Sequence, residues 1–228
     1  MVKIKVALAN SKNFGGVRDL RKIKYIVVHY TANDGDHDES NGRYFQNHIV
    51  QASAHYFVDG DSITQSVLDD HVAYAVGGSK WGDCPQTGGG KMYGIVTNNN
   101  SISVELCDEV RNGKSDFTEN TLRNAVDLIR LLMRKYNVDL DHVVRHFDVN
   151  GKHCPAPYMN QTAWNNFKNR LKEDDEMIEK KTFFVEGKPV NMDAILKDGT
   201  NFVKLRDIIE PLGYTVKVTG KRIDIIKK

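Results

Sequence analysis

Val143-Val-Arg-His-Phe-Asp-Val-Asn-Gly-Lys-His-Cys-Pro-Ala-Pro-Tyr158 is the segment around which the chain is organised. It contains His146, followed by Lys152, His153 and Cys154. Imidazole and thiolate are preferred ligands of zinc, and a catalytic zinc takes three protein ligands and leaves a fourth position for water. The segment therefore indicates two ligands with a cation beside them, and the rest of the chain must supply the third ligand.

A candidate for the third ligand lies far upstream. Lys24-Tyr-Ile-Val-Val-His-Tyr-Thr31 is a nearly continuous run of β-branched and aromatic residues, which is typical of a strand buried on both faces. His29 lies near the end of this run, just before the polar segment 33–40. A histidine there is held rigidly and still reaches a cleft at the carboxyl end of the strand. Taken by itself, a histidine in this position is more often a hydrogen-bonded core histidine than a ligand.

A carboxylate stands in the middle of another predicted strand. Ser101-Ile-Ser-Val-Glu-Leu-Cys107 alternates, so that the apolar side chains point to one face and Glu105 points to the other. A carboxylate inside a sheet costs free energy unless it has a partner or a chemical task. Glu105 is therefore a candidate catalytic residue, and an exposed strand face is the alternative interpretation.

The remaining patterns predict an α/β domain. An amphipathic helix is predicted over residues 39–50, and a hairpin over 54–67 with its turn at Asp59-Gly60. A long core helix capped by Thr118 is predicted over 119–136, and a closing helix over 161–172.

A glycine-rich segment, 77–94, interrupts these elements. It lacks the Gly-Lys-Ser/Thr ending of a phosphate-binding loop, and long loops inside compact domains are functional or disordered. Trp81 within it either stacks on a sugar or a peptide or anchors the loop. His55 and His71 belong to the hairpin region, and we interpret both as structural or substrate-contacting histidines rather than ligands.

The composition is that of an ordinary globular protein. The 228 residues are 40% hydrophobic and 27% charged, and a net charge of +2 gives no argument for a nucleic-acid partner. No apolar run approaches the length of a membrane span, and the N-terminus lacks the apolar core of a signal peptide. We therefore expect no membrane insertion and synthesis in the cytoplasm. Three cysteines form no even disulfide framework, which agrees with a reducing compartment.

The domain organisation follows from a change in composition. The segment Lys172-Glu-Asp-Asp-Glu-Met-Ile-Glu-Lys180 is charged and lacks the pattern of a core element. We predict a catalytic domain over residues 1–172, a linker over 173–181 and a small α+β domain over 182–228.

Within 182–228 the patterns predict a helix near 204–212 and turns at Glu186-Gly187, Asp198-Gly199 and Gly220. The predicted strands are 183–185, 190–191, 214–218 and 223–226. This domain is short and has few clustered titratable groups, so we interpret it as a binding or dimerising domain.

Four separated motifs resemble the zinc-dependent N-acetylmuramoyl-L-alanine amidases of type 2, a family that includes phage lysozyme-type amidases and the peptidoglycan recognition proteins. The motifs are Val27-Val-His-Tyr-Thr31, Ser53-Ala-His-Tyr-Phe57, Ser103-Val-Glu-Leu106 and His146 with Lys152-His-Cys154-Pro155. The resemblance covers roughly residues 15–172. It implies a mixed β-sheet flanked by helices, with zinc in a cleft at one edge.

The same resemblance implies a role for each matching residue. His29, His146 and Cys154 are expected to bind zinc, since a metal-bound thiol is deprotonated. Glu105 is expected to act on the attacking water and to pass its proton to the leaving amine, and Lys152 to stabilise the oxyanion.

One position departs from the family pattern. Some relatives carry a catalytic tyrosine just before the histidine of the hairpin motif, where this chain has Ala54. Tyr56, two positions on, points to the alternate face, and we assign it no role. We also assign no ligand role to His55 or His153, because both are displaced from the matching positions.

The segment 182–228 resembles the small stalk-type domain found at the N-terminus of some copper amine oxidases and appended to clostridial and bacillar wall enzymes. The resemblance implies attachment to the cell wall or self-association into a homodimer. It does not imply copper binding, because the segment contains no histidine.

Together these resemblances imply an enzyme that hydrolyses the amide bond between the lactyl group of N-acetylmuramic acid and L-alanine in peptidoglycan. The expected biological role is that of a phage endolysin, which stays in the host cytoplasm until a holin releases it to the cell wall. The alternatives are a host autolysin of the same activity, a non-enzymatic peptidoglycan receptor, and a cysteine peptidase in which Cys154 pairs with His146 or His153.

Overall fold

The computed structural model describes residues 3–172, 178–185, 187–197, 200–219 and 222–227. Contacts between Cα atoms divide the chain into two compact units, Met1–Lys172 and Glu173–Lys228. Each unit is described by itself.

The first unit contains ten strands and five α-helices within its described residues. The strands are β1 Ile4–Val6, β2 Phe14–Val17, β3 Tyr25–Tyr30, β4 Tyr56–Val58, β5 Ile63–Gln65, β6 His71–Ala73, β7 Ser101–Leu106, β8 Glu109–Arg111, β9 Lys114–Asp116 and β10 Val143–Arg145. The helices are α1 Asp38–Asn47, α2 Cys84–Thr87, α3 Glu119–Tyr136, α4 His146–Asn150 and α5 Gln161–Leu171.

A six-stranded sheet forms the centre of this unit, in the order β1-β5-β4-β7-β3-β10. The neighbours β4, β7, β3 and β10 run parallel, whereas β5 is antiparallel to β4. The sheet is therefore mixed, which confirms the predicted fold class. The parallel strands end at the same edge, and this edge carries the site described below.

Helix α3 covers one face of the sheet. Its residues Leu128, Ile129 and Leu132 pack in one apolar cluster with Ile102 and Val104 of β7. Thr118 accepts a hydrogen bond from the backbone N–H of Thr121, which confirms the predicted cap. Because side chains alternate along a strand, the residues between these apolar positions point away from α3.

The opposite face of the sheet is the one that carries the site. In the parallel register of β3 and β7, His29 lies opposite Glu105. Phe57 of β4 is the next partner of Glu105 across the sheet, and it stacks on Phe45 of α1. Helix α1 therefore packs on the same face of the sheet to which the Glu105 side chain points.

Two elements of the first unit differ from their predicted extents. Helix α1 ends at Asn47 because His48 adopts an extended backbone, so residues 48–50 lie outside it. The glycine-rich segment 77–94 contains the short helix α2. The predicted helix 119–136 agrees with α3 in both bounds.

Within its described residues, the second unit contains two antiparallel sheets and one short helix. Strands β11 Ile178–Val185, β12 Lys188–Lys197 and β13 Thr200–Val203 form one sheet, and β14 Tyr214–Thr219 pairs with β15 Arg222–Lys227. Helix α6 spans Leu205–Ile209.

Four elements of this unit differ from the sequence prediction. Strand β11 begins at Ile178, inside the predicted linker 173–181, and β12 extends well beyond the predicted strand 190–191. Strand β13 follows where no strand was predicted, and α6 is shorter than the predicted helix near 204–212. A charged segment can pair as a strand because its backbone groups, not its side chains, make the ladder hydrogen bonds. The predicted turns at Glu186, Asp198-Gly199 and Gly220 involve residues outside the described ranges.

No helix among the described residues is both long enough and apolar enough to span a membrane.

A buried carboxylate ties β4 to α3. Asp69 accepts hydrogen bonds from the hydroxyls of Tyr56, at 2.7 Å, and of Tyr136, and from Lys135 Nζ at 2.8 Å. Burial raises the pKa of Asp69, but these hydrogen bonds outweigh burial and hold the pKa below its ordinary value. The bonds to Asp69 therefore stabilise the fold as long as the carboxylate is ionised.

Replacing Asp69 with asparagine is expected to lower the free energy of unfolding by about 3 kcal/mol, because it removes charged hydrogen bonds in a buried setting. Urea denaturation at neutral pH measures the change. The matched control is Asp70→Asn, because Asp70 is about half exposed and pairs only with its neighbour His71. The control substitution should lower the free energy of unfolding by less than about 1 kcal/mol. Equal losses in the two variants would contradict a special role for Asp69.

Candidate metal centre and active site

Three side chains that can bind a metal meet at the carboxyl edge of the sheet. His29 lies near the end of β3, His146 follows β10 as the first residue of α4, and Cys154 lies on the segment after α4. Because β3 and β10 are parallel neighbours, their ends bring the two imidazoles to the same edge. The ligand atoms of the three residues all lie within 4.8 Å of one another, and Cys154 Sγ is 3.8 Å from His29 Nδ1.

All three side chains are buried, and their polar atoms lack ordinary partners. His29, His146 and Cys154 are 2%, 4% and 2% exposed. Within the described part of the chain, His29 Nε2 and both ring nitrogens of His146 have no hydrogen-bond partner. Leaving a buried polar atom unsatisfied costs on the order of 1–3 kcal/mol. A metal ion bound between the three residues would offset part of this cost, so the residues present fit such an ion.

The protonation states of the ligands also suit a cation. Burial lowers the pKa of His29 well below its ordinary value, and the charges of His146 and Lys152 add to the effect. Burial and then Lys152 lower the pKa of His146 to about 4. Both imidazoles are thus neutral at pH 7, the form that binds metals. Burial raises the pKa of the Cys154 thiol, so this thiol needs a cation beside it to ionise.

Glu105 lies next to this group of ligands. Its Oε1 is 3.8 Å from His29 Nδ1, and its side chain is 20% exposed. Its Oε2 is buried and has no hydrogen-bond partner among the described residues. Burial raises the pKa of Glu105 to about 8, and the charge of Lys152 works in the opposite direction. Because Oε2 has no partner among the described residues, the carboxyl group is free to contact a molecule that enters the site.

Glu105 lies on the wall of an open groove with a cavity volume of about 750 Å³. The groove is also lined by the cation Lys152, by the neighbouring His153, and by Trp81 of the glycine-rich segment. Helix α1 contributes Asn41 and Tyr44 to the lining. A carboxyl group and an ammonium group thus line an accessible cleft, and three buried potential metal ligands lie next to the carboxyl group. This is the constellation expected of a metallohydrolase.

Comparison with known proteins identifies the family. The family described as N-acetylmuramoyl-L-alanine amidase matches residues 19–157, a range that contains all five candidate residues. The chain belongs to this family.

Curated relatives agree with this assignment. The amidase BlyA of Bacillus subtilis (strain 168) is 36% identical over 157 residues, which are 67% of this chain and 42% of BlyA. A probable N-acetylmuramoyl-L-alanine amidase of Bacillus licheniformis is 28% identical over 218 residues, which are 88% of this chain and 57% of that protein. This chain therefore spans about half the length of these two amidases.

The solved structures include a mutant endolysin from Bacillus subtilis. It is 30% identical in sequence and superposes with a TM-score of 0.57, over 75% of this chain and 99% of that chain. The fold of the amidase domain is thus that of a solved endolysin.

The other histidines of the amidase domain have different surroundings. His55 is 1% exposed, accepts a hydrogen bond from the backbone N–H of Ser103 at 3.0 Å, and contacts Arg18 Nη2 at 2.7 Å. His71 pairs with Asp70 at 2.7 Å. Neither lies in the metal-binding group. Neither lines the groove, and His55 takes part in the hydrogen bonding of the core.

Tyr56 lies on the face of the sheet opposite the site. It pairs in register with Val104, whereas Phe57 pairs with Glu105, so Tyr56 and Glu105 point to opposite faces. The hydroxyl of Tyr56 is bonded to Asp69. Tyr56, to which we assign no role from the sequence, is part of the core cluster that packs against α3.

The groove wall on α1 was not recognised from sequence. Ser40, Asn41 and Tyr44 line the cleft, although the local pattern marked only Tyr44 as part of an apolar helix face. Asn41 donates hydrogen bonds to Asp36 at 2.5 Å and to the carbonyl of His37 at 3.1 Å. The one sequence feature that pointed to this wall was the polar segment 33–40 directly after the His29 strand, because such a segment is typical of a loop at the edge of a site.

The burial of His55 makes the stability of the protein depend on pH. Burial and then Arg18 lower the pKa of His55 to about 3, whereas an unfolded histidine has a pKa of about 6.5. Between these two values the unfolded chain binds a proton that the folded chain does not. The resulting stabilisation is complete above pH 6.5 and is lost as the pH falls towards 3.

We therefore expect the free energy of unfolding of the metal-free protein to fall between pH 6 and pH 4 more steeply than that of His55→Gln. The difference in slope should be about 1.4 kcal/mol per pH unit. Chemical denaturation at three pH values in a chelating buffer measures it. Parallel slopes for the two proteins would show that His55 is protonated in the folded state.

Proposed function

We propose that the chain is a zinc-dependent N-acetylmuramoyl-L-alanine amidase that cleaves the bond between the lactyl group of N-acetylmuramic acid and L-alanine. The observation that carries the proposal is the group of three buried ligand atoms within 4.8 Å, with Glu105 beside it in an open groove. Membership of the amidase family supports the substrate.

His29, His146 and Cys154 would hold the metal ion. Two imidazole nitrogens and one thiolate sulfur form a donor set that suits zinc, and three protein ligands leave a position open. A zinc ion bound there supplies Lewis acidity, which polarises the scissile carbonyl and lowers the pKa of water to about 7.

Two side chains of the protein transfer the proton and stabilise the charge that develops on the substrate. Glu105 in its ionised form takes a proton from the attacking water and delivers it to the nitrogen of the leaving amine. The charge of Lys152 favours the ionised form against burial, and a bound zinc ion would favour it further. The ammonium group of Lys152 stabilises the negative charge that develops on the carbonyl oxygen. The products are a free lactyl carboxylate on the sugar and a new amino group on L-alanine, so atoms and protons balance.

Mass spectrometry of digested peptidoglycan tests the reaction. The expected products are muramic acid with a free lactyl group and stem peptides with a new L-alanine amine. New reducing sugars would instead indicate a glycosidase and contradict the proposal. Intact, tightly bound peptidoglycan would favour the non-enzymatic receptor.

The metal is tested separately. We expect purified protein to contain about one zinc per chain, to lose activity with a chelator and to regain it when zinc is added back. A cysteine peptidase would keep its activity in the chelator. The surroundings of Cys154 argue against that alternative, because burial raises the pKa of its thiol, whereas a nucleophilic cysteine needs a lowered one.

We further propose an endolysin role, with the protein held in the host cytoplasm until a holin releases it to the cell wall. The likeness to the Bacillus subtilis endolysin supports this role. Expression in a bacterial host should leave cells intact until a holin is co-expressed, and lysis without a holin would contradict it. A host autolysin remains the alternative.

The second unit is proposed to attach the enzyme to the wall or to form a homodimer. Its described residues expose large apolar side chains, including Phe184, Phe202 and Ile225. Sedimentation with purified cell walls tests attachment, and analytical ultracentrifugation of the full chain tests dimerisation. A monomer that stays in the supernatant would contradict both roles.

A further inference from the structure

The groove crosses the carboxyl ends of the central strands. Helix α1 packs against β4 and β5 on one side of β7 and β3, the strands that carry Glu105 and His29. On the other side, Trp81 donates its backbone N–H to the carbonyl of Asn150, at the end of the helix that follows β10. The reacting groups therefore lie in the middle, and the α1 wall and the Trp81 wall lie on opposite sides of them.

The Trp81 wall presents an aromatic surface. The rings of Trp81 and His153 stack with their centroids 5.6 Å apart and their planes 28° from parallel. His153 Nε2 is 2.9 Å from Asp83 Oδ2, which fixes the imidazole. Trp81 nevertheless remains 44% exposed and lines the groove. A large exposed aromatic surface in a cleft is a binding surface for a flat apolar ligand face.

The segment that carries Trp81 is held rigidly. The backbone N–H groups of Gly90 and Met92 donate to the carbonyls of Phe147 and Asp148, both at 2.9 Å. Gly151 packs so closely that an added Cβ would lie 2.2 Å from Cys84 Sγ. A binding surface that is fixed before the ligand arrives loses little conformational entropy on binding.

A second hollow adjoins Trp81 outside the groove. Lys80, Gly82 and Pro85 line it together with Trp81, and its cavity volume is about 380 Å³. The indole thus borders both the groove and a neighbouring depression. A ligand longer than one ring could therefore extend from the groove over the indole into this depression.

The α1 wall has a different chemistry. Ser40 and Asn41 of α1, and Asn33 of the loop before it, are polar residues that line the groove on this side, and Tyr44 adds one aromatic ring. Amides and hydroxyls both donate and accept hydrogen bonds, as the backbone of an extended peptide requires. The apolar face of a pyranose ring, by contrast, matches an indole.

We propose that the glycan strand of peptidoglycan binds on the Trp81–His153 wall and that the stem peptide runs along α1. This assignment rests on the proposed amidase function, because it uses the two halves of that substrate. It places the scissile amide over Glu105 and Lys152, between the two walls. Trp81 is then a specificity-determining residue for the sugar.

Binding of peptide-free glycan tests the assignment without any hydrolysis. The probe is an oligomer of alternating N-acetylglucosamine and N-acetylmuramic acid with its peptides removed. The chain has two tryptophans, and Trp164 is only 3% exposed, so fluorescence changes on titration report on Trp81. We expect quenching in the wild-type protein. In calorimetry, Trp81→Ala should abolish the binding heat, whereas Tyr44→Ala should retain it.

Kinetics with two substrates provide the second readout. Trp81→Ala should raise KM about tenfold, or 1.4 kcal/mol, for a disaccharide-peptide but leave KM unchanged for a lactyl-peptide that lacks the sugar ring. Trp81→Phe should restore most of the loss, because it retains a ring. Tyr93→Ala, an exposed aromatic on the same segment but outside the groove lining, serves as the unchanged control.

Three results would overturn the assignment. They are loss of glycan binding in Tyr44→Ala but not in Trp81→Ala, an equal rise in KM for both substrates in Trp81→Ala, and no binding of the glycan by the wild-type protein. Failure of the amidase function has a different signature: the amide bond stays intact while glycan binding still depends on Trp81.

Discussion

Replacing Glu105 with glutamine is expected to lower kcat by a factor of about 10²–10⁴ while leaving zinc bound. Glutamine retains the shape of the side chain but cannot take a proton from water. Glu105 is no part of the three-residue ligand group, so the metal content should not change. Elemental analysis and single-turnover kinetics on the same preparation measure the two quantities together.

The control for this substitution is Glu109→Gln. Glu109 lies four positions further along the chain, on β8, and pairs with Arg111 away from the groove. Its replacement should leave kcat unchanged. If Glu105→Gln retained nearly normal turnover, another group would have to be the base, and the role assigned to Glu105 would be wrong.

Lys152 provides an independent test of charge stabilisation. Lys152→Ala should lower kcat by about 10²–10³ without removing zinc, because a positioned cation next to the developing oxyanion is lost. A change in KM alone would instead indicate that Lys152 binds substrate equally well before and during the reaction. Comparison of kcat and KM at saturating zinc distinguishes the two.

Local patterns were sufficient for the elements of the first unit. The apolar spacing from Leu122 to Tyr136 predicted α3 in both bounds, since an 18-residue amphipathic helix has a strong period. The β-branched run 24–31 predicted β3, because a parallel strand buried on both faces is apolar throughout. Patterns of this kind report which residues face the core.

What local patterns could not predict are contacts between distant segments. The register that places Glu105 opposite His29 depends on strand pairing across more than seventy positions, which no local period encodes. The same holds for Trp81, whose stack on His153 requires the loop and the ligand segment to meet. The sequence therefore left the role of Trp81 open between anchoring and binding, and the structure shows an exposed ring in the groove.

The second unit was predicted less well for a related reason. Its first strand carries charged residues such as Lys180 and Lys181, and these obscured the alternation of apolar and polar residues that is typical of a strand. Pairing of β11 with β12 along eight residue pairs satisfies the backbone regardless of those side chains. A strand that is stabilised mainly by pairing with its neighbour is therefore difficult to predict from the sequence pattern of that segment alone.

Replacing Cys154 with alanine is expected to remove zinc and activity together. Lewis-acid stabilisation is worth several kcal/mol, so activity should fall by about 10³-fold or more. The wild-type protein should also melt at a higher temperature when zinc is added, since a ligand at about 100 times its Kd stabilises by about 2.7 kcal/mol. Cys154→Ala should lose this zinc-dependent shift, because one of three ligands is missing.

Cys107→Ala is the matched control, since Cys107 is also a buried free thiol but lies outside the ligand group. It should keep both zinc and activity. The decisive contrary result is a Cys154→Ala protein that binds a full equivalent of zinc and is nevertheless inactive. Such a protein would make the thiol a nucleophile rather than a ligand, and His29 and His146 would then need a different third partner.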